Sequence, residues 1–261
     1  MFNSLLVRIF GFQATLQHGD ALVWDRWRWL RGRLRYTEND EQLLDVGCGS
    51  GAFAIGLAKQ GYNTLGLSWD QRNQDIAEQR AQICGAKRAK FEICDVRELD
   101  THAQYVDRFD VVTCTENIEH IIDDHRLVLA ISKCMKPGGR LLLTTPWIGA
   151  IGQSFMEYGP FPDFEDGRHV RRGYSRSMLR ELFEEAGLVI EDISFVSGPI
   201  SQLHAWLLYR IGKITHPGFA WFCVLPLRPL PPLFDKLLMR MFGFPPFSIA
   251  VEAYKPKYVR Q

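Results

Sequence analysis

The sequence predicts an α/β protein with a Rossmann-like, seven-stranded, mostly parallel sheet and helices on both faces. Between residues 41 and 146, short apolar segments alternate with helical patterns, which is typical of parallel strands joined by crossover helices. A glycine-rich loop connects the first of these strands to a helix. Two further strand patterns, at 188–196 and 247–254, bring the number of strands to seven.

The composition is that of a globular protein without a strong charge bias. Of the 261 residues 46% are hydrophobic, and 31 basic against 30 acidic side chains leave a formal charge of +1. This balance gives no case for a nucleic-acid partner. No apolar run reaches the ~18 residues that span a bilayer. The first residues, MFNSLLVRIFGF, are too short and too interrupted for a signal peptide.

Six cysteines are scattered along the chain without the paired spacing of zinc sites. Several fall inside predicted strands, where cysteine packs as a small apolar residue. We therefore expect neither a metal site nor a disulfide framework. A reducing, cytoplasmic location fits this cysteine usage best.

Residues 1–40 are expected to form an N-terminal helical cap. The stretch LVWDRWRWLRGRLR interleaves tryptophan with arginine, and helical spacing places Val23, Trp27 and Leu30 on one face. One interpretation packs the tryptophans on the core and leaves the arginines in solvent. The other closes the helix over a cofactor with one arginine, Arg26, facing a carboxylate.

Five strands and three helices are expected between residues 41 and 146. The strands are predicted at 42–46, 63–67, 90–94, 109–115 and 140–145, and the helices at 52–60, 71–83 and 124–135. The segment KPGGRLLLTTP is expected to end the third helix with Pro-Gly-Gly and then begin the fifth strand. Another helix is expected to begin after Ser175, a candidate N-cap, and to end at Gly187.

Residues 198–245 separate the sixth and seventh strands and differ in character from the rest of the chain. They are rich in leucine, aromatic residues and proline, and they carry five basic side chains against one acid, Asp235. Such a segment can lie on an anionic membrane surface, or it can form a lid that packs its apolar side over the site. The predicted units are a cap (1–40), a core (41–197), this insertion (198–245), and a last strand with a tail (246–261).

The loop in LLDVGCGSG raises the question of what approaches its backbone. The dinucleotide pattern G-x-G-x-x-A is satisfied by Gly47, Gly49, Gly51 and Ala52. Asp45 argues against a dinucleotide, because its carboxylate would repel a pyrophosphate. The same carboxylate suits a ligand that carries an ammonium, while the free N–H groups of the following helix suit that ligand's carboxylate. The loop therefore favours S-adenosylmethionine.

In this loop and in three later segments, the sequence resembles the class I S-adenosylmethionine-dependent methyltransferases, and the resemblance covers residues 41–196. LLDVGCGSG is similar to that family's first motif, and FEICDVREL, FDVVTCTENIEH and MKPGGRLLLTTP follow in the family's order. The resemblance implies that S-adenosylmethionine binds these segments and that Asp95 meets the adenine amino group. The cofactor-binding residues that it implies in these segments are Asp45, Gly47, Cys48, Gly49, Gly51, Asp95, Val96, Thr115 and Glu116.

The end of the second strand departs from the family pattern. The family usually places an acidic residue there for the ribose hydroxyls, whereas this chain has Ser68, and Asp70 follows two residues later. The stretch GLSWDQRNQ is similar to the version found in cyclopropane-fatty-acid and related methyltransferases. That resemblance implies that Ser68 and Asn73 bind the ribose and that Trp69 covers an adenine face. The alternative places Trp69 in the core.

Methyl transfer from a sulfonium needs positioning and exclusion of water, and an oxygen or nitrogen acceptor can also need a base. His169 is the first candidate for this base, since the family draws substrate contacts from the region after strand five. His120, next to Glu119, and Tyr174 are the other catalytic candidates. The structural alternatives are a salt-bridged loop around His169 and a loop-stabilising Glu119–His120 pair.

The resemblance implies an enzyme that methylates an oxygen or nitrogen of a small molecule, such as a natural product, sugar, quinone or lipid-like compound. The segment around Ser68 and the apolar insertion leave C-methylation or cyclopropanation of a lipid open. An alternative from another class is a non-catalytic, membrane-peripheral scaffold that binds S-adenosylmethionine. The four motifs together favour the enzyme.

Overall fold

The computed structural model describes residues 7–9, 11–17, 21–150 and 159–257. Parts of the predicted cap and tail, at 1–6, 10, 18–20 and 258–261, lie outside these ranges. The strands of the central sheet are β1 Gln42–Val46, β2 Asn63–Ser68, β3 Ala89–Ile93, β4 Phe109–Thr115, β5 Met135–Pro146, β6 Val189–Val196 and β7 Ser248–Tyr254.

The sheet has the strand order β3-β2-β1-β4-β5-β7-β6. Strands β1 to β5 pair in parallel with their neighbours, whereas β7 runs antiparallel to both β5 and β6. The predicted seven-stranded, mostly parallel, Rossmann-like fold is confirmed.

Helices surround this sheet. Those with described bounds are α1 Phe12–Gln17, α2 Ala21–Arg33, α3 Ala52–Ala58, α4 Gln71–Ile83, α5 Asp124–Cys134, α6 Arg176–Glu185, α7 Pro199–Ile214, α8 Pro217–Val224 and α9 Leu230–Phe242. Helices α7, α8 and α9 lie between β6 and β7, where the sequence has its apolar and basic insertion. Within the described ranges, every helix is too short or too polar to cross a membrane.

The core lies on both faces of the sheet, because successive strand residues point to opposite sides. Leu43 of β1 belongs to a buried cluster with Trp27 of α2 and Leu57 of α3. The next residue, Leu44, belongs to the opposite cluster with Val128 of α5. The helices therefore sandwich the sheet, and its strand ends remain available at the edges.

Local capping explains why two helices begin where the sequence predicts. The Asp70 carboxylate accepts a hydrogen bond from the N–H of Arg72 at 2.9 Å and begins α4. Ser175 Oγ accepts one from the N–H of Met178 at 3.2 Å and begins α6. Gly187 ends the latter segment with a φ of 69°, a left-handed conformation that favours glycine.

Strand β5 begins earlier than predicted, at residue 135 and directly after α5, whereas the other strand ends agree within one residue. Met135 pairs with Phe109 across an irregularity in β4. On the other side, the N–H of Gly138 donates to the carbonyl of Lys255 at 2.7 Å. The Pro-Gly-Gly segment therefore bonds to Lys255 on one side and lies between two residues paired with β4 on the other, which no local sequence signal indicates.

Helix α2 buries more than its predicted face. Trp27 and Leu30 are buried as expected, while Val23 is half-buried. Trp29 is also buried, and its Nε1–H donates to Ser194 Oγ of β6 at 3.0 Å. Trp29 therefore fixes this helix to β6, whereas Trp27 packs against Phe12 of α1 and Phe53 of α3.

A buried polar junction attaches the insertion to the cap helix. The Ser201 hydroxyl of α7 lies 2.7 Å from Asp235 Oδ2 of α9 and also contacts Asp25 Oδ2 of α2. Asp235 Oδ1 accepts a hydrogen bond from the N–H of Ile200 at 2.7 Å, at the beginning of α7. Burial raises the pKa of Asp25 to about 6 and also raises that of Asp235. Three helices thus meet at two carboxyl groups and one hydroxyl.

Candidate active site

The predicted cofactor residues gather at one edge of the sheet, where strands β1 to β4 end. The loop 47–51 follows β1, Ser68 ends β2, Asp95 follows β3 and Glu116 follows β4. Because the carboxyl ends of parallel strands meet at the same edge, residues far apart in sequence come together there. Ligands of open α/β sheets bind at this edge.

The glycine loop is packed against protein at two positions and open at the third. Gly47, Gly49 and Gly51 all have positive φ, at 73°, 51° and 76°. A Cβ at Gly47 would lie 2.5 Å from Asn117 Cγ, and one at Gly51 would lie 2.8 Å from Ala77 Cβ. A Cβ at Gly49 would meet nothing within 4 Å. Gly49 is therefore the position where a ligand can approach the backbone.

Asp45 is buried in β1, two residues before this loop. Its side chain is 1% exposed, and Oδ1 accepts a hydrogen bond from Thr113 Oγ1 at 2.8 Å. Oδ2 is buried without a hydrogen-bond partner among the described residues. Burial raises the pKa of Asp45 to about 7, with the Thr113 hydrogen bond acting in the opposite direction. A contact between Asp45 and a ligand ammonium stays a prediction.

The end of β2 presents one buried hydroxyl and one exposed indole. Ser68 is buried, and its Oγ accepts a hydrogen bond from the N–H of Asp70 at 3.3 Å. Asn73, in the first turn of α4, is half-buried. Trp69 is 69% exposed, so the alternative that places it in the core is wrong. Its ring is free to cover a planar ligand.

The carboxylate of Asp95 is already engaged by a neighbouring arginine. Arg97 Nε lies 2.9 Å from both carboxylate oxygens, and its Nη1 lies 2.8 Å from Glu165 Oε2. The Arg97 hydrogen bonds lower the pKa of Asp95. The loop after β3, in which Val96 is buried, is thereby tied to the segment between β5 and α6. No local pattern in the sequence indicates this contact between Arg97 and Glu165.

Glu116 connects the cap helix with β7. Arg26 Nη2 lies 3.2 Å from Glu116 Oε2, with the two side chains only 11% and 15% exposed. Ser248 Oγ donates to Glu116 Oε1 at 3.0 Å. Glu116 also has a φ of 48°, which residues other than glycine seldom adopt. The interpretation with one arginine facing a carboxylate fits Arg26, but the carboxylate belongs to the protein itself.

Two predicted catalytic candidates lie together against a buried carboxylate. The rings of His120 and His169 are 4.7 Å apart, and Glu119 Oε1 lies 4.0 Å from Nε2 of each. Glu119 Oε2 accepts a hydrogen bond from Thr145 Oγ1 at 3.1 Å, whereas Oε1 has no hydrogen-bond partner among the described residues. Burial and the charge of Glu116 raise the pKa of Glu119 well above its ordinary range.

This arrangement can orient a histidine for proton transfer, since a carboxylate stabilises the imidazolium that forms. It also has the donor set of a cation site, because one ligand atom from each of Glu119, His120 and His169 lies within 4.8 Å of the other two. The sequence pattern predicts no metal and gives Glu119 only a loop-stabilising role beside His120. The two histidines lie on different loops, so only the fold reveals the cluster.

The Tyr174 side chain is enclosed by protein. It is completely buried, and its hydroxyl donates to Asp124 Oδ2 at 2.7 Å. Arg171 Nη1 donates to the Tyr174 hydroxyl at 2.7 Å, and Nη2 donates to the carbonyl of Ile121 at 2.9 Å. Burial raises the pKa of Tyr174, which disfavours proton removal by its phenolate. The Tyr174 hydroxyl is therefore held by Asp124 and Arg171, and a catalytic role for it stays a prediction.

Comparison with known proteins agrees with this geometry. The family model described as "Methyltransferase domain" matches residues 23–193. The chain is 32% identical over 131 residues to the ubiquinone biosynthesis O-methyltransferase of Coxiella burnetii (strain Dugway 5J108-111), a match that covers 48% of this chain and 52% of that enzyme. The chain thus spans about half the length of such curated relatives.

A longer match and a solved structure extend the comparison. The ubiquinone biosynthesis O-methyltransferase of Marinobacter nauticus is 30% identical over 194 residues, with 69% of this chain and 78% of that enzyme covered. Phosphoethanolamine N-methyltransferase 2 of Haemonchus contortus, solved in complex with S-adenosyl-L-methionine, has a TM-score of 0.61. That match has 20% identity and covers 98% of this chain and 60% of that one, so it supports the fold. The chain belongs to the class I S-adenosylmethionine-dependent methyltransferases.

Proposed function

We propose that this protein transfers a methyl group from S-adenosylmethionine to an oxygen of a small, lipid-like acceptor. The observation that carries the proposal is the Glu119–His120–His169 cluster, because Glu119 and His120 lie on the loop whose Asn117 packs against Gly47. A sulfonium cofactor supplies an electrophilic methyl group, and an oxygen acceptor gains most from a base that removes its proton. The O-methyltransferases among the similar proteins support oxygen over nitrogen or carbon as the methylated atom.

The cofactor residues fit this proposal. Gly49 leaves open space at the loop backbone, and Trp69 offers an exposed ring. Asp45 keeps one buried carboxylate oxygen without a hydrogen-bond partner among the described residues, which suits an ammonium group. Asp95 would accept from the adenine amino group while Arg97 holds its carboxylate in place. Ser68 and Asn73 remain the proposed ribose ligands.

His169 is the proposed general base, with His120 beside it and Glu119 as the residue that positions both. The side chains of His169 and His120 are 26% and 29% exposed, respectively. Each imidazole can therefore meet an acceptor while one side of its ring faces the buried Glu119 carboxyl group. Glu119 is fully buried, which raises its pKa, and in its ionised form it stabilises positive charge on either ring. Proton removal of this kind contributes roughly 10²- to 10⁴-fold to turnover.

We also propose that residues 198–245 select the acceptor and bring the enzyme into peripheral contact with a membrane. Helix α7 begins just after β6 ends at the site edge, and it packs on the cap helix that carries Arg26. The apolar and basic composition of the segment supports a lipid-like acceptor. The cytoplasmic location expected from cysteine usage stays a prediction.

Calorimetry with S-adenosylhomocysteine, with NAD⁺ as the comparison ligand, tests the cofactor assignment. We expect binding of the first and none of the second. Incubation with methyl-labelled S-adenosylmethionine and a hydrophobic metabolite extract then tests the reaction, with label expected in an alkali-stable methyl ether. Binding of NAD⁺ alone, or label found only on carbon, contradicts the proposal.

A further inference from the structure

Large apolar side chains stand exposed along one side of helix α9. Four of them, between 43% and 66% exposed, define what we call the apolar face. They are Leu233, Phe234, Leu237 and Met241, which helical spacing places on the same side of α9. An exposed apolar surface of this kind marks an interaction site in a folded protein.

The structure fixes the direction in which this face points. Pro231 and Asp235 lie on the inner side of α9 and are buried. Asp235 is bonded to the beginning of α7 and to Ser201, so α9 cannot roll about its axis without breaking this junction. Leu233 and Leu237 are one turn apart on the opposite side and therefore face solvent.

The exposed acidic and basic side chains of residues 198–245 are all basic. Lys236 and Arg240 are exposed one turn apart on α9, and helical spacing places them along one margin of the apolar stripe. Lys213 is exposed in the last turn of α7. Asp235, the one acid among residues 198–245, is 7% exposed and engaged in the buried junction. The segment therefore presents an apolar surface bordered by cations.

We propose that the apolar face docks on the anionic surface of a lipid bilayer, with α9 lying in the plane of the interface. This inference rests on the proposed function, because docking would place the site edge near a lipid-like acceptor. An interfacial helix combines an apolar face with flanking basic residues, as α9 does. Each basic residue near anionic lipid adds to the attraction, and salt weakens it.

The charge pattern favours a bilayer over a second copy of the chain. A two-fold interface pairs a surface with itself, so a second copy would bring no exposed acid of this segment to the cations. Lys236 and Arg240 would then gain no opposite charge from the same segment of the other copy. An anionic lipid surface instead attracts the same cations while the apolar side chains leave water.

Vesicle co-sedimentation of the full chain tests this proposal. The probes are vesicles of phosphatidylcholine alone and of phosphatidylcholine mixed with phosphatidylglycerol. We expect binding to the mixed vesicles that weakens about tenfold between low salt and about 0.5 M salt. Leu233→Ser/Leu237→Ser and Lys236→Glu/Arg240→Glu should each weaken it about tenfold or more. The matched control Val106→Ser/Val189→Ser removes exposed apolar side chains elsewhere and should bind like the unchanged protein.

Three results overturn the docking surface: no binding to mixed vesicles at low salt, equal binding to neutral vesicles, or unchanged binding in both double variants. Sedimentation velocity without lipid provides a further test. If the unchanged protein is a dimer and the Leu233→Ser/Leu237→Ser variant is a monomer, the apolar face binds a second copy of the chain instead of a bilayer. Calorimetry with S-adenosylhomocysteine on the same samples separates the two proposals. Cofactor binding without vesicle binding refutes only docking, and vesicle binding without cofactor binding refutes only the enzyme.

Discussion

Arg26 Nη2 lies 3.2 Å from Glu116 Oε2, and this ion pair joins the cap helix to the loop that follows β4. Both side chains are largely buried, and Ser248 of β7 donates to the same carboxylate. A helix that precedes the sheet in sequence therefore takes part in shaping the loop that carries Glu119 and His120. The cap and the site edge form one unit.

Substitution of Arg26 tests this connection. Arg26→Ala leaves the Glu116 carboxylate without its cationic partner, so we expect about a tenfold loss of affinity for S-adenosylhomocysteine in calorimetry. Arg26→Lys should recover part of that loss. Arg31→Ala, which removes an exposed arginine of the same helix, serves as the control and should bind normally. Equal affinity in the Arg26→Ala and Arg31→Ala variants would show that the pair does not shape the cofactor site.

Gly49 and Gly85 form a matched pair for testing the loop. Both have positive φ, and a Cβ at either meets nothing within 4 Å. Valine strains the backbone at both positions, but only at Gly49 does it fill the proposed ligand space. We expect Gly49→Val to abolish binding of S-adenosylhomocysteine and Gly85→Val to retain it, with similar thermal stabilities. Retained binding in folded Gly49→Val would rule out this loop as the cofactor cradle.

His169→Ala should lower turnover by roughly 10²- to 10⁴-fold while cofactor affinity changes little, because general-base catalysis contributes about this much. Glu119→Gln keeps the side-chain size but cannot ionise, and it should also lower turnover. His125→Ala, at an exposed histidine of α5, is the control. Full activity of His169→Ala between pH of about 6 and 9 would exclude it as the base.

The same assay with a chelator distinguishes proton transfer from metal binding at this cluster. If His169 acts as a base, activity should survive removal of divalent cations. Activity that is lost with chelator and restored by a divalent cation would instead assign Glu119, His120 and His169 to a metal.

The buried junction between cap and insertion predicts a pH-dependent stability. Asp25 has its pKa raised from 3.8 to about 6 by burial, so the folded chain keeps a proton that the unfolded chain loses over this interval. The free energy of unfolding should therefore fall as pH rises from about 4 to 6, by about 3 kcal/mol at most. Asp25→Asn cannot ionise, and its thermal midpoint should exceed that of the unchanged protein near neutral pH and approach it at acid pH.

Asp163→Asn, at an exposed acid, provides the comparison and should follow the unchanged protein at every pH. A parallel pH profile for Asp25→Asn and the unchanged protein would show that Asp25 ionises without cost in the folded chain. Circular dichroism melts between pH of about 4 and 7 give the thermal midpoints of both variants and of the unchanged protein.

Sequence reasoning succeeded where the cause is local. Asp70 and Ser175 cap their helices through hydrogen bonds to residues two or three positions away, so the sequence itself contains both partners. The strands were located within one residue, except for β5, whose early part depends on pairing with Phe109 and the backbone of Lys255. That pairing involves residues distant along the chain, which periodicity cannot show.

In the candidate site, too, the sequence identifies single residues, whereas the contacts between them depend on the fold. Arg26 and Glu116 were each proposed as cofactor residues, but their ion pair requires α2 to cross the sheet edge. His120 and His169 were named separately, and Glu119 gained its significance only when the fold placed its unpartnered oxygen between them. Trp69 could have served as core or as ligand contact on sequence grounds, and its exposure decides against the core.

The interior position of β7 has a consequence for biosynthesis. β7 occupies the slot between β5 and β6, yet it is made after both of them and after the helices α7 to α9. A nascent chain that has emerged only to α9 therefore exposes two open strand edges, which are templates for pairing with other chains. Completion of the sheet waits for residues 248–254 to leave the ribosome, and until then the facing edges of β5 and β6 are open to aggregation.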